Sequence, residues 1–137
     1  MWPKVQSVYS IEEDALFREF FLGFVKIHVL HHAAQHPVYG LALIDELRRH
    51  GYALSPGTLY PLLRGLEEAG YLLREDRIVG GKVRKYYSIT EQGRQALTEA
   101  RKKIAELVHE VLEGVGPVSL PEPAETEPEV DKRLTDE

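Results

Sequence analysis

A mainly α fold with one small β-hairpin is what this 137-residue chain predicts, and three observations carry the prediction. Apolar residues recur at helical spacing in four stretches, each with its own start or stop signals. Between the third and the fourth lie two β-rich runs, about Tyr71–Ile78 and Val83–Ile89, joined by Gly80-Gly81. The second and third helical stretches are separated by only a short turn after Gly51. Helix, turn, helix and then hairpin is the order of a winged helix-turn-helix, here with one further helix on either side.

Each element has a local reason. Ser10-Ile11-Glu12-Glu13 fits a capping box, in which Ser10 accepts from the amide of residue 13 and Glu13 reaches back, so a first helix starts there and runs to about Ala34. Its apolar residues, among them Leu16, Phe17, Phe20, Phe21, Phe24, Val25 and Val29, cover more than one stripe. A domain of this size offers one core face, so the other side is expected to meet a second chain. Pro37 closes the connection, and a second helix from about Tyr39 to His50 buries Leu43, Ile44 and Leu47. Arg48, Arg49 and His50 suit the negative end of its dipole, and Gly51 suits the position after the cap. Ser55 is a natural N-cap and Pro56 a natural first residue for the third helix, which Gly70 ends. The Gly-Gly pair fits a tight primed hairpin turn.

Thr90 caps a fourth helix that reaches about Glu113. Along it Leu97, Ala100, Ile104, Leu107, Val111 and Gly114 fall at alternating three- and four-residue steps, an a/d seam of about two and a half heptads. Dimerisation through the first and fourth helices is therefore expected, with Phe17, Phe20, Phe21 and Phe24 on one and Leu97, Ile104, Leu107 and Val111 on the other.

Bulk composition narrows the function classes. The length suits one domain with a real core, read as residues 11–115, preceded by a short extension (1–10) and followed by an acidic tail (116–137) too polar and proline-rich to fold. No cysteine is present, which excludes disulfides, thiolate metal sites and a cysteine nucleophile. With no signal-peptide pattern and no apolar stretch long enough to span a bilayer, a cytoplasmic location is expected. The net charge of −5 looks unsuited to a nucleic-acid binder until it is divided along the chain. Residues 121–137 carry the whole imbalance, seven acids against Lys132 and Arg133, and the rest is neutral. Within that neutral body, residues 74–94 hold six bases against Glu75, Asp76 and Glu91, where a wing would touch phosphate.

The third helix points to DNA. Leu59, Leu62, Leu63 and Leu66 make its core face, which leaves Gly57, Tyr60, Pro61 and Arg64 on the opposite side and Thr58 at the flank. That outer face breaks helix rules: Gly57 is a poor helix former, and Pro61 cannot donate to the Gly57 carbonyl and should disturb the first turns. Packing alone does not call for such residues. Gly57 leaves room for close backbone approach, the free amides at a helix start suit phosphate, and Tyr60 and Arg64 are long enough to reach base edges. In the hairpin, Arg84 and Tyr86 share one face and Lys85 and Tyr87 the other, with Lys82 and Arg84 assigned to phosphate.

These runs carry a resemblance. Tyr39-Gly40, then Ser55-Pro56-Gly57-Thr58-Leu59-Tyr60-Pro61-Leu62-Leu63-Arg64-Gly65-Leu66-Glu67 to Gly70-Tyr71-Leu72, and Arg84-Lys85-Tyr86-Tyr87-Ser88-Ile89-Thr90 resemble the PadR family of bacterial transcriptional regulators, across about residues 16–112. The short single helix after the wing is similar to the subfamily with the smaller C-terminal region. The resemblance implies a homodimeric repressor that binds an inverted-repeat operator in double-stranded DNA and releases it on meeting a small hydrophobic or aromatic effector. Together with the reading of the helix and hairpin, it places DNA binding on Tyr39, Ser55, Gly57, Thr58, Tyr60, Pro61, Arg64, Lys82 and Arg84. The competing class is a winged-helix module that binds only protein.

No Ser-His-Asp spacing, paired-carboxylate motif or glycine-rich phosphate loop occurs, so no enzyme and no cofactor are expected. His28, His31, His32 and His36 have spacings that could bring two or three imidazoles to one metal. Histidine near a helix C-terminus also suits the dipole, and no carboxylate lies close in sequence to complete a site, so no metal is assigned.

Overall fold

The computed structural model describes residues 15–113. The expected extension (1–10), the capping box at Ser10 and the acidic tail (116–137) lie outside the described residues. In chain order the elements are α1 (Ala15–Gln35), β1 (Val38–Tyr39), α2 (Gly40–Arg49), α3 (Pro56–Glu68), β2 (Leu72–Val79), β3 (Lys82–Ile89) and α4 (Glu91–Leu112). The strands form one antiparallel sheet in the order β1-β3-β2. The predicted fold class holds: helices dominate, and the sheet is small.

Glycines end α2 and α3 in the same way. Gly51 and Gly70 take positive φ of 89° and 88°, a conformation that costs glycine nothing. At α2 the Gly51 amide donates to the Arg48 carbonyl (3.0 Å) and the Tyr52 amide to that of Leu47 (2.9 Å). At α3 Gly70 donates to Glu67 (2.9 Å) and Tyr71 to Leu66 (2.9 Å), so both ends are Schellman motifs. Ser55 occupies the N-cap position of α3, but its side chain makes no capping bond. Its hydroxyl lies 3.3 Å from that of Thr58 instead. Pro61 does not interrupt α3. Proline's fixed φ is helical, only one backbone bond is lost, and the buried Leu59, Leu63 and Leu66 hold the helix against the core, with Leu62 at the edge.

β1 was not anticipated. Two residues are too few to show alternation, and the strand exists because Val38 and Tyr39 pair with Tyr87 and Tyr86 along the free edge of β3. The hairpin register runs from Leu72↔Ile89 to Val79↔Lys82, with Gly80 and Gly81 both at positive φ in the turn.

Thr90 ties the hairpin to both neighbouring helices. Its hydroxyl accepts from the Gly93 amide (3.0 Å), capping α4, and donates to the Gly70 carbonyl (2.6 Å) at the end of α3. Gly93 sits so close that a side chain there would meet the Tyr71 carbonyl oxygen. One apolar core joins the elements, with Val25 and Val29 from α1, Leu43 and Leu47 from α2, Leu59 and Leu63 from α3, and Tyr87 from the sheet. The α3 start and the wing are thereby held in fixed relation by packing rather than by loops.

Candidate nucleic-acid interface

Between α3, the start of α2 and the wing lies a cleft of about 530 Å³. Tyr60, Arg64 and Glu67 line it from α3, Tyr39, Gly40 and Leu41 from the β1–α2 junction, and Arg74, Lys82, Arg84 and Lys85 from the wing. Five of these residues are cationic, and Glu67 is the one carboxylate among the lining residues. A concave surface with this charge balance concentrates phosphate.

The chain's local geometry fixes each group. Glycine at position 40 makes room for the tip of the Tyr60 ring at the helix start: a Cβ there would fall 2.6 Å from Cε1, Cζ and the hydroxyl. Arg84 Cζ stands 5.0 Å from the centre of the Tyr39 ring, and Arg77 Cζ stands 4.4 Å from that of Tyr86. The two tyrosine rings are themselves 5.5 Å apart. Each guanidinium is thereby held against the face of a ring, and both arginines are half-buried. Arg74 and Arg77 are engaged by Asp76 (3.4 Å) and Glu75 (3.4 Å) along their own strand. Arg64, Lys82 and Lys85 make no ion pair among the described residues, which leaves their charge unneutralised by a neighbouring carboxylate. Burial, with Glu67 adding, pushes the Tyr87 hydroxyl above its ordinary range and keeps it neutral.

Of the expected DNA-binding residues, the cleft brings together Tyr39, Tyr60, Arg64, Lys82 and Arg84. Ser55, Gly57, Thr58 and Pro61 are not among its lining residues and lie on the first turns of α3, where all but the half-buried Thr58 are exposed. Sequence reasoning missed Arg74, Lys85 and Glu67. Alternation in β3 could have found Lys85, which shares a face with the core residue Tyr87 and so projects toward α3.

The expected dimer residues divide. Phe20 and Phe24 on α1 and Leu107 and Val111 on α4 are exposed, at 47%, 42%, 58% and 56%, as is Ile104. Phe17 is half-buried with its ring edge-on to Phe20 (6.1 Å), and Phe21 packs on the core beside Tyr52 (5.2 Å). Leu97 is a correction: it is 3% exposed within the chain's own core. It lies in the first turns of α4, where α1 and β3 already cover the helix, so the unpartnered seam begins further along, at Ile104.

The family described as "Transcriptional regulator PadR-like family" matches residues 29–99 of this chain. The transcriptional regulator Rv3488 of Mycobacterium tuberculosis is 53% identical over 97 residues, which cover 71% of this chain and 91% of that one. The chain belongs to the PadR-like family. Among solved structures, a PadR family transcriptional regulator from Eggerthella lenta is similar at 34% identity and a TM-score of 0.65, covering 74% of this chain and 90% of its own. A PadR-like transcriptional regulator from Bacillus cereus is similar at 27% identity and a TM-score of 0.66, covering 72% and 98%. PadR regulators bind DNA and are not enzymes, so this chain is a DNA-binding transcriptional regulator. No helix among the described residues is long and apolar enough to cross a membrane.

Proposed function

We propose that the chain is a homodimeric repressor that reads an inverted-repeat operator with α3 and its wing and lets go of it when an effector binds. The observation that carries this reading is the cationic cleft, in which Tyr60 and Arg64 on α3 stand beside Lys82, Arg84 and Lys85 on the wing. In that arrangement α3 enters the major groove, where Tyr60 and Arg64 meet base edges, and the wing cations lie along the phosphates. Exposed Ser55, Gly57 and Pro61, with the half-buried Thr58, let the α3 start approach the backbone closely, where the Gly57 amide meets phosphate while those of Thr58 and Leu59 donate to the Ser55 carbonyl (3.1 and 3.0 Å). The exposed apolar residues of α1 and α4 supply a surface for a second copy, and two copies related by a two-fold axis match a palindromic site. A repressor of this kind acts in the cytoplasm.

Selection of bound sequences from random duplex DNA tests the whole reading. The expected result is one enriched inverted repeat whose half-sites lie about 10–10.5 base pairs apart or a multiple of that. Arg64→Ala should cost about 1–3 kcal/mol on the selected site and relax one position, while Lys82→Ala weakens all sequences alike and lowers the salt slope by about one unit. No enriched sequence and binding insensitive to salt would mean that the surface serves a protein partner instead.

A further inference from the structure

Away from the cleft, where α1 passes the end of α2, the structure gathers three imidazoles. His28 and His32 are one turn apart on α1, and His50 sits at the C-cap of α2. One nitrogen from each lies within 4.8 Å of the others. The rings of His28 and His50 stack at 5.0 Å and those of His28 and His32 at 6.3 Å. The cluster is not the group that spacing along the chain brings together, to which no metal is assigned: His31 turns to Gln35 (3.0 Å) and His36 lies against the Pro37 carbonyl (3.3 Å). His50, distant in sequence, takes their place.

We propose that this cluster is a binding site for one divalent transition-metal ion of the imidazole-preferring class, held by His28, His32 and His50, and that its occupancy adjusts operator affinity by clamping α1 to the helix-turn-helix. Two independent observations support it. First, three convergent ring nitrogens form a ligand set of the kind that leaves a fourth position open for water. For metal–nitrogen bonds of about 2.0–2.1 Å in tetrahedral geometry the nitrogens should stand roughly 3.4 Å apart, so small side-chain rotations close the site. Second, His32 is only 8% exposed, yet its Nε2 has no hydrogen-bond partner among the described residues. An orphaned buried ring nitrogen costs free energy unless something binds it, and it belongs to the cluster.

The surroundings fit. Ligation needs neutral imidazole, and burial, reinforced by the neighbouring histidines, holds the His28 pKa below its ordinary value and that of His32 down to about 4. Glu46 places Oε1 3.4 Å from His50 Nε2, the outer carboxylate that metal-bound histidines commonly have. Tyr52 stands edge-on to His28 at 5.1 Å and walls one side. The exposed His50 leaves an entry path. Softness of the donor set favours zinc, cobalt, nickel or copper over magnesium or calcium, which require oxygen.

The coupling to operator binding rests on the proposed function above. His50 is the residue before Gly51, at the turn that leads to α3, while α1 carries the apolar surface assigned to dimerisation. A metal joining them fixes the angle between the dimer helix and the reading helix. By linkage, DNA then changes metal affinity by the same factor as metal changes DNA affinity.

The test uses the full chain, stripped with a chelator and titrated with Zn²⁺ by calorimetry and with Co²⁺ by visible d–d absorption. One ion per chain is expected. His50→Ala, an exposed position that leaves folding intact, should weaken binding by more than the roughly 10–100-fold that loss of an outer partner costs. His32→Ala should abolish it, and His36→Ala should leave it unchanged. A stoichiometry well below one, or equal affinity in wild type and His50→Ala, overturns the site. Operator binding with and without Zn²⁺ then measures the coupling, expected at about 5–150-fold and lost in His50→Ala. An ion that binds without changing operator affinity overturns the clamp and leaves the site. A chain that binds Zn²⁺ but selects no DNA sequence refutes the function proposed above and leaves the metal site standing.

Discussion

Replacing Gly40 by alanine probes the recognition surface without touching a residue that would contact DNA through its own side chain. The new Cβ would stand 2.6 Å from Cε1, Cζ and the hydroxyl of Tyr60, against an ordinary separation of about 3.5–4.0 Å. The tip of the ring must therefore move by about 1 Å. It can do so, because the obstructing atoms are the far end of a side chain and not backbone. Position 40 has no positive φ and begins a helix, so alanine there gains about 0.4–1 kcal/mol from the unfolded chain. That offsets the roughly 0.5–1.5 kcal/mol of an off-rotamer tyrosine, and net stability should stay within about 1 kcal/mol. Operator binding should not. Removing Tyr60 altogether is expected to cost about 1–3 kcal/mol if it meets a base edge, or roughly 5–150-fold in Kd, and a 1 Å displacement should forfeit much of it. Since no cation is removed, nonspecific binding and the salt slope should match wild type. Anisotropy titrations of Gly40→Ala and Tyr60→Ala on the selected operator and on a random duplex, with a thermal melt of each, decide the matter. Wild-type operator affinity in both variants would remove Tyr60 from the recognition surface; loss in Tyr60→Ala alone would show that Gly40 does not set its position.

Gly93→Ala should behave in the opposite way, because its Cβ would meet the Tyr71 carbonyl oxygen and come within 2.7 Å of Ile89 Cγ1. Backbone cannot swing aside, so about 1–3 kcal/mol of stability should be lost, or roughly 4–8 °C in Tm per kcal/mol by calorimetry; an unchanged Tm contradicts the packing. Gly65→Ala, with open space around it, should be neutral or raise stability by about 0.5–1 kcal/mol. Ile104→Glu with Leu107→Glu should leave helix content unchanged while halving the mass seen by light scattering, since both residues are exposed in the single chain. A double variant that remains a dimer moves the interface elsewhere. In chelator-treated protein, the depressed pKa of His32, which faces His28, His31, His36 and His50, predicts acid destabilisation. The folded state resists a proton that the unfolded chain accepts, so stability present above about pH 6.5 should fall by up to a few kcal/mol as pH drops toward about 4. His32→Leu should flatten that limb in urea melts taken across this range.

By itself the sequence determined the element order, because its signals are local. Gly51 and Gly70 end helices through positive φ, Thr90 caps through its own hydroxyl, and Gly80-Gly81 sets a hairpin turn, each within a few residues of chain. The inner face of α3 followed from period alone, and with it the outward Arg64 and Pro61. What only the tertiary structure decided involves groups far apart in the chain. β1 exists only as the partner of β3, and two residues carry no period to announce it. Leu97 continues the heptad pattern of α4, yet α1 and β3 claim it for the core, since periodicity tells which face is apolar and not what covers it. Tyr60 rests on Gly40, Arg84 over Tyr39, and Arg74 and Lys85 turn toward α3, because packing brings the wing beside that helix. The histidines show the difference most plainly. Spacing grouped His28 with His31, His32 and His36 along one stretch of chain, whereas the fold leaves two of these out and supplies His50 from the end of α2. A helical repeat places side chains on a face, but the distance between imidazoles on two helices is set by the packing of α1 against α2, which only the assembled core fixes.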